Sequence, residues 1–472
     1  MIERVYSYRY MAQITIETVT PLAVSSGEKG IMTDSFVVRD ANGLPYIPGT
    51  SLAGILRHAI KGKEKKKIFG FQENLRRIEN GKRTEENIGE GSKIIFSSAH
   101  IVNEDNTVIE GILNKKEWSG YLSCFKELPI RQHVCINGKG VTRNTGKFDE
   151  EVVFKGTRFC FEIEMLSEEK TNEPVFNEIL SELMKESLRI GSGTRKGFGE
   201  TKIVEYTTKQ YDLTVDLDDY LEKTSSLNAK IKNGKTEKNI QSNADNDWTT
   251  YELTLTPDNF FLFGSGFGND KADMTAVSET YFDWSNGKPE AKAKSILIPG
   301  SSVKGALAHR VVFHYNRLKG FCIKEINGEY KVDERAKNSN EAVETLFGYA
   351  NNKDVKRGNV MISDLIQEAV GPEKTKILNH VAIDRFTGGA IDGALFAEEV
   401  IYGKNTQYKL ILKVNYEAIA HEEESTTIKK AFKLALQDIA TGMLPLGGGV
   451  NRGYGCFSGE IKENGIIMEK ML

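Results

Sequence analysis

The strongest constraint on this chain is that it repeats itself. Residues 45–58 read PYIPGTSLAGILRH and residues 296–309 read ILIPGSSVKGALAH. Residues 190–200, IGSGTRKGFGE, return as LGGGVNRGYGC at 446–456. Between these marks, IRQHVCINGKGVTRNTGKFDEEVV at 130–153 is matched by ILNHVAIDRFTGGAIDGALFAEEVI at 377–401. Three segments recur in one order at similar separations, so the period is a whole domain rather than a solenoid unit. The division that follows is a first domain over 1–215, a connector over 216–248 and a second domain over 249–472. The connector is polar and poor in apolar side chains, which predicts a flexible linker. As a coil its ends would average roughly 25–30 Å apart.

Each copy opens on a strand of period two, QITIETV at 13–19 and YELTLT at 251–256. After each IPG turn the pattern is helical, over Ser51–Ile60 and Ser302–Leu318, with Thr50 or Ser51 and Ser301 or Ser302 as candidate N-caps. Phe176, Ile179, Leu180, Leu183 and Met184 form a stripe on a second helix, as do Ile428, Ala431, Phe432, Ala435, Leu436 and Ile439. Alternating strands precede these helices at 159–165 and 408–414. The order strand, helix, strands, helix, strand predicts an α+β fold of two tandem ferredoxin-like, RRM-like domains with inserted hairpins. A four-stranded sheet with both helices on one face leaves the other face open, the layout that holds single-stranded RNA in RRM domains.

Composition narrows the class. Hydrophobic residues are 39% and charged residues 27% of the 472, as in globular domains with ordinary cores. No apolar stretch reaches the length of a membrane span, and the N-terminus lacks the apolar segment and cleavage site of a secretory leader, which predicts a cytoplasmic protein. The five cysteines are odd in number and form no C-x-x-C pair, so a disulfide framework is not expected. Cys124, Cys135 and His133 match no standard zinc spacing and are read as unrelated residues. The net charge of −3 means that any nucleic-acid binding must come from local clusters of cations.

Such clusters sit in the repeated motifs. The loops GSGTRKGFG and GGGVNRGYG permit positive φ and close backbone approach, so their N–H groups can cradle phosphates. Gly193, Arg195 and Lys196 in the first loop, and Gly448 and Arg452 in the second, are candidate RNA-binding residues. Ser51, Arg57 and His58 on the first IPG helix, and Ser302, Lys304, His309 and Arg310 on the second, are further candidates, with His314 also on that helix. The mid-domain hairpins add Arg131, His133, Arg143, His380 and Arg385. Neither Walker A nor the dinucleotide fingerprint is present, so no nucleotide cofactor is expected.

The combination DSFVVRD, LPYIPGTSLAGILRH and GSGTRKGFGE resembles the backbone subunits of type III CRISPR effector complexes within the RAMP superfamily. Both halves carry it, in a fused form similar to the III-D and III-E branches. The resemblance implies guide RNA (crRNA) and target RNA as ligands, with other RAMP backbone, large and small subunits as partners. It implies a hairpin thumb that interrupts the guide–target duplex, and an early-loop aspartate that cuts target RNA beside each thumb. Asp34, in its D-S-x-V-x-x-D context, matches that aspartate. In the second copy the role falls to Asp273 or Glu279. Asp34 precedes Pro48 by 14 residues, while Glu279 and Asp273 precede Pro299 by 20 and 26. The insertion SNGKPEAKAKS makes that spacing a poor guide, and the glycine-rich run before Asp273 favours Asp273. Glu279, at the start of TYFDW, is expected to face solvent. Ala53 departs from the lysine common in the helix motif, which Lys304 keeps.

RNA cleavage needs no protein nucleophile, because the 2′-OH can attack the adjacent phosphate. Asp34 can orient that hydroxyl, accept its proton or hold a divalent metal, Mg or Mn, and the sequence leaves these open. Two alternatives stand beside target cleavage: a non-cutting RNA scaffold, and a guide-processing endoribonuclease acting through His58 or His133.

Overall fold

A computed structural model describes the chain except residues 1–4, 31–32, 63, 80–81, 115–117, 119, 138–140, 239, 241–244, 322, 327–328, 333–338, 351–353, 369–373 and 471–472. The fold is α+β, with more strands than helices among the described residues. In the first copy Tyr8–Thr18 is the central strand, antiparallel to Arg158–Ser167 on one side and Thr201–Asp212 on the other. Ile94–Phe96 pairs with the outer edge of Arg158–Ser167. The second copy repeats the order: Thr249–Pro257 lies between Tyr408–Val414 and Phe457–Glu463, and Val360–Ile362 pairs with Tyr408–Val414.

Alternation decides which face each strand buries. Tyr10, Ala12, Ile14 and Ile16 point at helices Gly49–Ala59 and Glu173–Leu183, whose Leu52, Leu56, Phe176, Ile179, Leu180 and Leu183 complete the first core. Tyr251, Leu253 and Leu255 meet helices Gly300–Leu318 and Ser425–Ala440 in the second. Both IPG helices begin two residues before the expected serines. Their N-caps are Pro48 and Pro299, without a side-chain cap hydrogen bond. The glycines explain the motif. A Cβ on Gly49 would stand 2.5 Å from the Phe96 carbonyl, and one on Gly300 2.8 Å from that of Ile362. Glycine lets each helix start rest on the edge strand of its own sheet.

Two expectations change. The connector is not a free tether. Helix Leu217–Leu221 and strand Lys235–Lys238, which extends the first sheet beside Thr201–Asp212, fold back onto the first copy. The first sheet's outer face is therefore covered rather than open. Tyr220 donates to Glu164 (2.6 Å), Gln13 donates to the Leu227 carbonyl (2.8 Å), and Leu227 is buried with Val102, Val108 and Cys160. The physical reason is a few well-placed side chains in a polar stretch; average composition does not register them.

Nor are the two copies merely side by side. The insertion before the second IPG helix is a hairpin, Ser278–Asp283 with Glu290–Ile298. It sends Phe282 and Trp284 into the first core. The Phe282 ring lies 4.7 Å from Tyr121 and 5.3 Å from Phe154, and the Trp284 indole N–H donates to the Gly156 carbonyl (2.7 Å). No helix among the described residues is long and apolar enough to cross a membrane.

Candidate nucleic-acid interface

Each copy builds the same small constellation where its early loop meets its hairpin. In the first copy the hairpin is Ile130–Ile136 with Thr142–Glu151. The Asp34 N–H donates to Asp149 Oδ1 (2.8 Å), and the Asp149 N–H donates to Asp34 Oδ2 (3.1 Å). In the second copy the hairpin is Thr375–His380 with Phe396–Tyr402. There the Asp273 N–H donates to the Ala397 carbonyl (2.9 Å), and the Ala397 N–H donates to Asp273 Oδ2 (2.7 Å). Asp149 and Ala397 are the same position of the repeat. Asp34 and Asp273 are therefore structural counterparts, both exposed, each with one carboxylate oxygen fixed by a main-chain N–H.

One residue away, a histidine stacks on a phenylalanine. His133 lies 4.8 Å from Phe148 at 17°, and His380 lies 4.8 Å from Phe396 at 23°. Each imidazole also faces a glutamate, His133 to Glu150 at 2.9 Å and His380 to Glu398 at 3.1 Å. Both pairs are at ion-pair distance but off the line of a hydrogen bond. A cation from the glycine loop closes the set: Lys196 Nζ sits 4.8 Å over the Phe148 ring, and Arg452 Cζ 5.6 Å over Phe396.

The glycine loops are tighter than a phosphate cradle requires. The Lys196 and Phe198 N–H groups both donate to the Gly193 carbonyl, and the Ser192 and Gly199 N–H groups to Ala23 and Pro21. In the second loop the Gly448 N–H donates to Leu262, and the Arg452 and Tyr454 N–H groups to Gly449. These donors are consumed within the fold and cannot also hold a phosphate.

Glu279 is not a counterpart of Asp34 and does not face solvent. It is 6% exposed and takes a bidentate pair from Arg131 (2.7 and 2.6 Å), whose guanidinium also lies 2.9 Å from Asp364. Burial works against the Arg131 charge, but Glu279 and Asp364 outweigh it and hold the group firmly protonated. Asp364 in turn accepts the Gly300 N–H at the second IPG helix (2.7 Å) and donates its own N–H to the Gly197 carbonyl (3.2 Å). Arg131 is thus a strut between the copies, its guanidinium spent on two buried carboxylates rather than turned to solvent as an RNA-binding role expects.

The RAMP superfamily model matches residues 15–202 and again residues 262–458. The chain belongs to the RAMP superfamily. No curated protein matches it. The superfamily includes CRISPR-associated proteins, its members bind RNA, and they are often RNA-processing endoribonucleases.

Within this RAMP pair the remaining candidates divide. Lys304 lies near Lys196 and Arg195 of the other copy; burial, then those two charges, push its pKa down to about 8. Ser51 and His58 line a cavity beside the first glycine loop, though the His58 ring is engaged with its own helix at the Gly54 carbonyl (2.8 Å). Arg57 is half-buried on that helix. Ser302, His309 and Arg385 are exposed. Arg310 is diverted: it pairs with Asp438, as does His314 (2.6 Å), and so ties the two helices of the second core together. The Arg143 side chain and Cys322 lie outside the described residues.

Among the described residues no group of three metal-ligating side chains forms. Asp34 has Asp149 beside it, but Asp273 has only the main chain of Ala397. A Mg or Mn ion at either aspartate would have to take the rest of its oxygen shell from RNA phosphate and water. Phe148, Phe396, Asp149 and Asp364 escaped notice in the sequence. For the two phenylalanines a signal was available, because FDEEVV at 148–153 and FAEEVI at 396–401 share one pattern.

Proposed function

We propose that the chain is a guide-RNA-binding backbone subunit of a type III CRISPR ribonucleoprotein, and that it cleaves guide-complementary target RNA at two regularly spaced sites. The observation that carries this reading is the duplication of one geometry, an exposed aspartate held by a main-chain N–H at the base of a hairpin. Each repeat is read as a ferredoxin-like domain on its strand order, and each hairpin as the thumb that separates target segments. Guide pairing supplies sequence specificity, while the protein meets backbone and shape. Lys196, Arg195 and Lys304 bring cations from both copies to one place, which answers the net charge of −3.

At each thumb a displaced target nucleotide places its 2′-OH in line with the next phosphate. The 2′-oxygen forms a bond to phosphorus as the bond to the 5′-oxygen breaks, leaving a 2′,3′-cyclic phosphate and a 5′-hydroxyl that takes its proton from water. Asp34 or Asp273, with one carboxylate oxygen pinned and its body exposed, orients the 2′-OH and accepts its proton. No step is assigned to a metal. Other RAMP backbone, large and small subunits are the partners on this reading, and the cytoplasm is its compartment.

The test is a labelled target RNA added to the assembled complex. Guide RNA should co-purify, with binding that falls steeply as salt rises. Asp34→Ala should erase one cut and Asp273→Ala the other, with target binding nearly intact. Cutting at both positions by the double variant would leave the chain a scaffold, and cutting of precursor guide instead would make it a processing enzyme.

A further inference from the structure

A cavity of about 760 Å³ opens between the first IPG helix and the first glycine loop. Ser51 and His58 line one wall and Arg195 another, and Arg357 of the second copy and Trp248 at the end of the connector border the cavity. Its size is that of a small-molecule site. Its chemistry is cationic, with Arg189, Arg195 and Arg357 on its walls. Arg189 lines it with a side chain only 1% exposed, using Nη2 for Glu200 and Ser363 (both 2.9 Å). Its Nε and Nη1 find no hydrogen-bond partner among the described residues. Buried donors are seldom left so, because an unmade hydrogen bond costs free energy.

Arg195 repeats the pattern. Its Nε donates to the Gly358 carbonyl (3.0 Å), while its Nη1 is also buried without a partner. Burial, then the charges of Arg357 and Arg189, push its pKa down to about 9. The acids of the cavity do not relieve this, since each has its own partner. Asp247 pairs with Lys61 (2.9 Å), Glu182 with Lys185 (2.6 Å), and Asp245 accepts from Ser187. Trp248 stands beside the arginines, its ring 5.3 Å from the Arg195 guanidinium. The second copy cannot build this site, because Pro445 and Asn451 occupy the repeat positions of Arg189 and Arg195.

We propose that this cavity holds one phosphate-bearing nucleotide unit, its phosphate oxygens received by the exposed Arg357 with the charges of Arg195 and Arg189 behind it, and its base stacked on Trp248. Guanidinium forks suit phosphate oxygens, and an indole is a sequence-tolerant stacking surface. The connector is then part of the ligand site and not only a link between domains. The proposal rests on the RNA-binding reading for its preferred source, a nucleotide of a bound single strand; a free nucleotide shares the chemistry.

The test uses the full chain with two probes, a 20-nucleotide single-stranded RNA and AMP. Binding is read by anisotropy of labelled RNA and by tryptophan emission. Trp248→Ala should weaken RNA binding by about fivefold to a hundredfold, and Trp248→Phe should restore most of it. RNA should quench the wild-type emission, and that quench should vanish in Trp248→Phe, where Trp118 and Trp284 remain. Arg195→Gln should weaken binding and make the salt slope shallower by about one. RNA that displaces AMP from the wild type identifies the strand as the source. A quench by AMP that depends on Trp248 and ignores RNA identifies a free nucleotide and removes the preferred source. Wild-type affinity and full quench in both Trp248→Ala and Arg195→Gln would overturn the site while leaving the RNA-binding reading in place. Failure of the wild type to bind RNA, with AMP still bound at Trp248, would overturn that reading and keep the site.

Discussion

In the first copy the glycine-rich loop turns inward, and in the second the same loop faces solvent. Gly197 is buried against Asp364, and Arg195 reaches the Gly358 carbonyl of the second copy. Their counterparts Gly453 and Asn451 are exposed, as is Arg452. The hairpins diverge likewise. Arg131 anchors the first to Glu279 and Asp364, whereas Leu378 holds the equivalent place in the second, whose tip carries Phe386 at 99% exposure. Yet the acid, histidine, phenylalanine and loop cation keep one geometry in both. The difference teaches that the constellation does not depend on what packs beside it. The first copy carries the same set while serving as an internal interface.

The hardest test of that equivalence is catalytic. If Asp34 and Asp273 do the same work, alanine at either should lower its own cut by about 10²–10⁴-fold and spare the other, measured on one end-labelled target. Glu279→Ala should instead destabilise the chain, and selective loss of the second cut with unchanged melting would break the comparison.

Next in size is the strut. Arg131→Ala leaves two buried carboxylates without their cation and should cost about 3–5 kcal/mol by chemical denaturation. Leu378→Ala, at the equivalent half-buried place, should cost about 1 kcal/mol. Equal losses would mean that the copies are not joined as described.

The covered sheet face comes third. Leu227→Ala should cost about 2 kcal/mol and speed amide exchange in residues 226–238, with the second copy unaffected. Unchanged exchange would show that Leu227 does not hold the connector down.

The smallest effect is electrostatic. The pKa of Lys304 is lowered from its ordinary 10.5 to about 8, by burial first and then by Lys196 and Arg195. Between these values the unfolded chain binds the extra proton, so stability without RNA should rise with pH across that window. Lys304→Met should flatten the rise in melting temperature between pH 8 and 10. The same substitution should weaken RNA binding, because a cation that costs stability alone is the one a phosphate relieves.

The duplication, the two helical stripes and the period-two strands were legible because each is written within a few consecutive residues. So was the position of Asp273 as the counterpart of Asp34, since the glycine-rich run before it is local. The fate of Glu279 was not legible, because its partner Arg131 lies 148 positions away in another copy. Arg310 read as a free cation for the same reason, its partner Asp438 being 128 positions distant. The connector misled in the opposite direction. Its average polarity is that of a tether, but Tyr220, Leu227 and Trp248 are placed singly where a sheet face and a cavity receive them. By itself the sequence determined how many domains there are, what order their elements take and which loops carry acids and cations, since local periodicity and repetition encode those. Which charges are neutralised, which face is covered and which arginines remain unmet were decided only when distant segments were brought together. A charge has no environment until the chain closes around it.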